Sequence, residues 1–385
     1  MGIIKHTSAI LNDDYTQFVY DTYDIQNREE SVYEIQYDIS EHKKFDWNVG
    51  VILGGSGSGK TSILKQIGEI KKPDFDFDKP LISNFDWLDA KEVTMLLTSI
   101  GLSSVPTWLR PFKVLSNGEQ YRATLAYLIS SAKDGETIIV DEYTSVVDRD
   151  VAKAMSFALQ KYIRREKKKI ILASCHYDIL EWLMPDWVCN IEKGGVLEKD
   201  DYLRQQKPQV ELRVSRVEYE VWNIFKKHHY LTHNAPKSAK YFLFEWNNKP
   251  VAINCVISQP SGTIERAVRG SRTVVLPDFQ GFGIGSRITN FMGGVYKDSG
   301  YRYFTKTINP ALGEYRNKMD KIWKTSSKHG RVLNNLAGNN TKFKWDIRIR
   351  TSYCHEYIGD PIPGYEYLLL PVDTLREQAR GVLPL

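Results

Sequence analysis

Apolar and polar residues alternate through SVYEIQYDI (31–39), and the branched run in DWNVGVIL (46–53) stops at a glycine. The first fifty residues therefore read as strands. TSILKQIGEI (61–70) changes to helical spacing, and ETIIVDEYTS (136–145) and KKIILASCHYD (168–178) are short apolar runs of the kind buried as parallel strands. Strands alternating with helices predict an α/β domain. Periodicity lapses in DYLRQQKPQVEL (201–212), which sets a boundary near residue 207 and divides the chain into domains 1–206 and 207–385. Beyond it, RVEYEVWNIFKKHHYL (216–231) has the spacing of an amphipathic helix, and YFLFEWNNKPVAINCVI (241–257) reads as two strands joined at NNKP. This second domain is of α+β type.

A length of 385 residues suits two cores. The formal charge of +5 allows an anionic partner without requiring one. Four cysteines without CxxC spacing point to neither a zinc knuckle nor a disulfide framework, and fit a reducing cytoplasm. No apolar run is long enough to span a bilayer, so no membrane partner is expected.

GGSGSGKT (54–61) follows a strand and opens a helix. Gly54, Gly57 and Gly59 let backbone N–H groups fold around phosphate oxygens, Lys60 reaches the terminal phosphates, Thr61 can ligate Mg²⁺, and Ser62 completes the loop. This spacing marks a nucleotide site. TIIVDE (137–142) places Asp141 at a strand end as a second Mg²⁺ candidate, with Glu142 beside it to orient or deprotonate water. VLSNGEQYR (114–122), SVVD (145–148) and His176 complete an order that resembles the ATP-binding-cassette (ABC) ATPases over roughly residues 30–205. The resemblance implies ATP with Mg²⁺, Glu142 as catalytic base, and His176 as the γ-phosphate switch. It also implies Ser116 and Gly118 as caps on ATP held by an opposite subunit, hence an ATP-dependent head-to-tail homodimer. Two features depart from the family. The lid glutamine has only Asn84 as a weak substitute, and 55 residues between Lys60 and Ser116 leave little room for the subdomain that grips membrane partners. A soluble relative acting on DNA or ribosomes is expected rather than a transporter subunit.

A second glycine loop lies in VVLPDFQGFGIGSR (274–287). As a dinucleotide fingerprint it fails, because Ser286 replaces the third glycine and Tyr301 stands where an acidic ribose partner would. A tight strand-to-helix turn is the structural alternative. Gln280, Gly283 and Gly285, entered from a strand and followed by SRITNFMGGVYKDSG, resemble the acyl-CoA loop of the GCN5-related N-acetyltransferases (GNATs). The resemblance spans roughly residues 210–370. It implies acetyl-CoA held at Val275, Gln280, Gly281, Phe282, Gly283, Ile284, Gly285 and Ser286. YRYFTKTI (301–308) reads as the next strand, and NPALGEY (309–315) supplies Tyr315, the residue that in the family protonates the leaving thiolate; a core tyrosine is the alternative.

An amine acceptor must lose a proton, and Glu265, His228 and His229 are the candidate bases, with Glu265 preferred for its place before the cofactor strand. Basic residues interleave with aromatics from Arg316 to Arg350, a pattern suited to nucleic acid or to a solvated face. HHYL followed by RTVVLPDFQGFGIG also looks like the Mom-like acyltransferases of bacteriophages, which modify DNA bases. The expectation is an ABC-type ATPase fused to an acyltransferase acting on an amino group of nucleic acid, DNA first. Acylation of a protein lysine or small amine under ATP control is one rival, and a structural ATPase with a non-catalytic CoA- or nucleic-acid-binding domain is another.

Overall fold

The computed structural model describes residues 1–26, 28–199, 209–229, 234–327, 329–333, 350–372 and 381–384. They fall into two compact units, one of residues 1–74 with 127–207, the other of residues 75–126 with 208–385. Residues 75–126, expected in the first domain, thus group with the second unit. The expected linker at 201–212 lies largely outside the described residues, and β8 begins at its end.

In the first unit, β1 (Gly2–Ala9) and β2 (Glu30–Tyr37) pair antiparallel. Between them, where strand was expected, lies the helix Asp14–Tyr23. Asp13 explains the difference: its carboxylate accepts from the Tyr15 and Thr16 amides, while the Thr16 hydroxyl accepts from the Asp13 amide, forming a reciprocal cap. A five-stranded sheet comes next, built from β3 (Val49–Leu53), β4 (Thr137–Val140), β5 (Lys169–Ser174), β6 (Trp187–Asn190) and β7 (Leu197–Lys199) in the order β4-β5-β3-β6-β7. The first four are parallel and β7 is antiparallel. Every residue of β3 is buried, as its unbroken apolar run requires. Gly50 is obligatory there, because a Cβ would lie 2.1 Å from the Trp187 ring. Asp186 fixes the entry to β3 by accepting from the Asn48 and Val49 amides while pairing with Arg164 at 3.0 Å.

The second unit's sheet comprises β8 (Glu211–Val217), β9 (Lys240–Trp246), β10 (Lys249–Ser258), β11 (Ala267–Val275), β12 (Arg302–Thr307), β13 (Trp323–Thr325), β14 (Arg331–Leu333), β15 (Arg350–Tyr357) and β16 (Gly381–Pro384). Its order is β13-β15-β12-β11-β10-β9-β8-β16, with β14 on β15. Asn247 and Asn248 join β9 to β10 with φ of 49° and 61°, the left-handed pair that matches strand twist in a two-residue hairpin. Among the described residues of this sheet only β11 and β12 pair in parallel, and the helix Ile284–Asp298 makes the crossover between them. It buries Phe291, Met292 and Val295.

The long helix expected over 216–231 is absent. β8 runs to Val217, and a short helix, Trp222–Phe225, then stands between single 3₁₀ turns. Trp222 and Phe225 are both fully buried against Tyr241 and Ile253, so this one turn buries its two largest apolar side chains, while Ile224 stays exposed.

His355 on β15 is fully buried, with Nε2 2.9 Å from Asn317 Oδ1 and its ring 4.9 Å from that of His329. Burial first, then the charges of Arg316 and His329, push its pKa down to about 4. The folded chain holds His355 neutral, while the unfolded chain protonates it near 6.5. This contribution is present above pH 6.5 and is lost as pH falls toward 4, amounting to on the order of 3 kcal/mol. Thermal denaturation of His355→Gln should show a shallower loss of stability than the wild type between pH 6.5 and 4.5; parallel curves would refute the assignment.

Candidate functional site

The first glycine loop leaves β3 at a carboxyl end of the parallel strands, where open α/β sheets hold ligands. Gly57 and Gly59 have φ of 77° and 93°, and Gly59 caps the helix Lys60–Ile67 without a side-chain hydrogen bond, where a Cβ would lie 1.9 Å from Ile35. The Lys60 ammonium donates to the carbonyls of Gly54 and Gly55 at 2.8 and 2.6 Å, and the Gly55 amide donates to Glu192. Thr61 Oγ1 donates to Asp141 Oδ2 at 2.6 Å. That hydroxyl and carboxylate form an oxygen set suited to Mg²⁺. Among the described residues no cluster of three or more His, Cys, Asp or Glu could hold a metal.

Glu142 directly follows Asp141 and is exposed, with φ of 50°. Its amide donates to Asp141 Oδ1, and its carbonyl accepts from Ser145. A non-glycine residue in this region is strained, the kind of conformation that collects at functional sites. β5 lies between β3 and β4, so its end stands between the glycine loop and the acidic pair. His176 follows that end, half-buried, its amide bonded to Ser174. Burial first, and Arg149 next, hold its imidazole below the usual range against the opposing pull of Asp178. His6 on β1 reaches Ser62 at 2.8 Å, a contact with no signature in the sequence.

In the second unit LSNGE starts the helix Asn117–Ser131 as a capping box. The Ser116 amide donates to Glu119 Oε2 at 2.9 Å, and the Glu119 amide reaches back to Ser116 Oγ at 3.4 Å. Ser116 is exposed, while Glu119 is buried and also accepts from Thr107. Asn84 is buried in a turn, bonded to the backbone of Asp76 and Pro80. It serves that turn rather than a lid.

The second glycine loop borders a cavity of about 690 Å³. One wall is β11, which pairs with β12 only from Ala267 to Gly270 and then leaves it. Arg272 to Val275 stay paired to β10, so their other edge opens on the cavity. Gly283, with φ of 79°, caps the helix Ile284–Asp298 without a side-chain bond, leaving the first-turn amides free for an anion. Free amides, an open strand edge and glycine clearance fit the phosphates and amide-rich arm of an acyl-CoA.

Of the residues expected to hold that group, Val275, Gln280, Gly281, Gly283, Ile284, Gly285 and Ser286 line the cavity. Phe282 instead packs edge-on against Trp246, with ring centroids 5.6 Å apart. Gln280 points inward: Oε1 accepts from the Ser103 amide and hydroxyl, and Nε2 donates to the Val275 carbonyl. Tyr315, His228 and His229 also line the cavity. Glu265 does not, because it sits exposed in the turn that opens β11, whose lining residues begin at Arg269. Burial first, and Lys227 next, hold His228 below the usual imidazole range; Arg110 acts the same way, and Glu119 and Asp278 oppose it. Arg269, Arg272, Lys306 and Arg316 supply the cations of the lining, and among the described residues no carboxylate joins them. Of the basic C-terminal run, Lys328, Lys342, Phe343, Lys344, Trp345 and Arg348 lie outside the described residues.

No protein-family model matches the chain, and no curated protein matches it. Solved structures of two kinds are similar to it. An ATP-binding cassette in a dimeric post-hydrolysis state with ADP and phosphate is 15% identical, with 45% of this chain and 93% of that one covered and a TM-score of 0.34. An acetyltransferase of Bacillus subtilis in complex with CoA is 10% identical, covering 39% and 99%, with a TM-score of 0.29. A GNAT family acetyltransferase of Elizabethkingia anophelis with acetyl-CoA bound is 14% identical, covering 39% and 97%, with a TM-score of 0.27. The chain is a mixed α/β protein with both ABC ATPase-like and GNAT-like structural neighbours. No helix among the described residues is long and apolar enough to cross a membrane.

Lys60→Ala should lower affinity for a fluorescent ATP analogue at least about tenfold, or about 1.4 kcal/mol. The melting temperature without nucleotide should change little, since the ammonium bonds to two carbonyls of its own loop. Unchanged ATP affinity would refute the loop's assignment.

Proposed function

We propose that this protein is an ATP-binding and ATP-hydrolysing acyltransferase that moves an acetyl group from acetyl-CoA to an amino group on nucleic acid, DNA first. The observation that carries the reading is the cavity beside the second glycine loop, which combines free amides, an open strand edge, His228, Tyr315 and, among the described residues, a lining with cations but no carboxylate. A lysine or polyamine acceptor arrives as an ammonium ion, and such a lining repels it. A base amine on a phosphate backbone is neutral and brings the opposite charge.

Acetyl-CoA supplies an activated thioester. The helix start at Ile284 receives its pyrophosphate, and the open edge of β11 holds the pantetheine arm. As the acceptor nitrogen bonds to the carbonyl carbon and the carbon–sulfur bond breaks, His228 takes the proton from nitrogen and Tyr315 gives one to the departing sulfur. Solvent then returns a proton to the tyrosine and removes one from the histidine. Because burial favours neutral imidazole, His228 remains a base below the ordinary histidine pKa.

In the first unit, Lys60 and the loop amides bind the ATP phosphates, Thr61 and Asp141 hold Mg²⁺, which offsets phosphate charge, and Glu142 activates water with His176 at the γ-phosphate. Ser116, which is exposed, and its neighbour Gly118 cap the nucleotide of a second copy, giving an ATP-dependent head-to-tail homodimer.

The test is mass spectrometry of nucleosides digested from DNA and RNA after incubation with the protein, labelled acetyl-CoA and Mg-ATP. A labelled nucleoside is expected; label on protein or small amines alone would reject the acceptor. His228→Gln should lower kcat/KM by about 100-fold. It should also remove the acid limb of the wild-type pH profile, which is expected below pH 6.5. An unaltered limb would exclude His228 as the base.

A further inference from the structure

The helix Asn117–Ser131 begins at the Ser116–Glu119 capping box, and less than one turn beyond Glu119 comes Arg122, a fully buried side chain. Its guanidinium donates to the carbonyl of Pro277 at 2.9 Å and, at 3.5 Å, to that of Asp278. Those carbonyls belong to the 3₁₀ turn Pro277–Phe279, the entry to the second glycine loop. From the same segment, Ser103 gives both its amide and its hydroxyl to Gln280 Oε1, at 2.8 and 2.9 Å. Gly101, with φ of 89°, passes so close that a Cβ there would lie 2.7 Å from the Gln280 carbonyl oxygen. Residues 101–122 thus hold the loop's entry through a buried charge, a forked hydrogen bond and a backbone contact that only glycine permits.

We infer that Arg122 and Ser103 are positioning residues for the second glycine loop, and that nucleotide engagement at Ser116 and Gly118 thereby tightens CoA binding. The inference rests on the two binding sites proposed above. A charged group bonded to carbonyls in a buried place resists displacement, since moving either partner strands the other. A segment fixed at one end by nucleotide leaves less disorder to be removed when the loop closes on its ligand. Linkage makes the effect reciprocal: CoA strengthens nucleotide engagement by the same factor.

The experiment measures the Kd of the full-length protein for CoA by calorimetry, without and with a saturating non-hydrolysable ATP analogue and Mg²⁺. In the wild type the analogue should lower that Kd at least about fivefold. The ratio should fall toward one in Arg122→Ala and in Ser103→Ala, and recover in part in Arg122→Lys, which keeps the charge. Should Arg122→Ala fail to fold, Ser103→Ala carries the test alone, because it removes one exchangeable hydroxyl. A wild-type ratio of one with both ligands bound, or an unchanged ratio in folded variants, overturns the inference and leaves the proposed sites intact. Failure of the wild type to bind CoA or the ATP analogue overturns the site assignments and the inference together.

Discussion

The break in pairing between β11 and β12 is the constraint that creates the second unit's cavity. The strands share four residue pairs, ending at Gly270 and Thr305. On the other side of β11 the register with β10 slips, so that Val256 faces Gly270 while Cys255 faces Arg272, and Ser271 becomes the extra residue of a bulge. A bulge bends and twists its strand, carrying β11 away from β12 while β10 keeps hold of it. Gly270 allows the last shared pair to form, since a Cβ there would lie 2.6 Å from the Tyr303 hydroxyl. The opened edge, the glycine loop after it and the helix capped by Gly283 then succeed one another along the chain. Without the break, β12 would occupy the place of the ligand.

The features legible in the residues were those whose chemistry forces local spacing. GGSGSGKT between an apolar run and a helical pattern admits few alternatives, and the structure has that strand, loop and helix in order. The hairpin at Asn247 and Asn248 was legible for the same reason, since two adjacent left-handed residues favour asparagine. The helix Asp14–Tyr23 was missed because its signal, Asp13 three residues before Thr16, is a cap rather than an apolar stripe. The helix expected over 216–231 was overcalled because periodicity does not reveal that Trp222 and Phe225 already fill the space against the sheet.

Placement across long sequence separations was not legible. Motif order put residues 75–126 with the first glycine loop, while packing groups them with the second. The one local hint was Arg122 immediately before the apolar run ATLAYLI (123–129), where a charge needs buried partners; they proved to be carbonyls 155 and 156 residues away. Glu265 attracted attention by preceding the cofactor strand. Yet β11 has nine residues, and at about 3.3 Å each its two ends are far apart. The cavity opens at the other end.

Charge around the cavity ties its chemistry to its ligands. The nearby carboxylates have other roles: Glu119 is taken up by the Ser116 cap and Thr107, and Asp278 is exposed in the turn outside the lining. Among the described lining residues the charged side chains are cationic, while His228 is held below the usual imidazole range by burial first and by Lys227 and Arg110 after it. A cationic lining favours phosphate groups, and burial shifts His228 toward its neutral form. On the proposed reading, an aliphatic amine would enter charged and would have to lose its proton beside other cations. A base amine would enter neutral but is a poor nucleophile, and on the same reading it would gain most from a base that is already neutral.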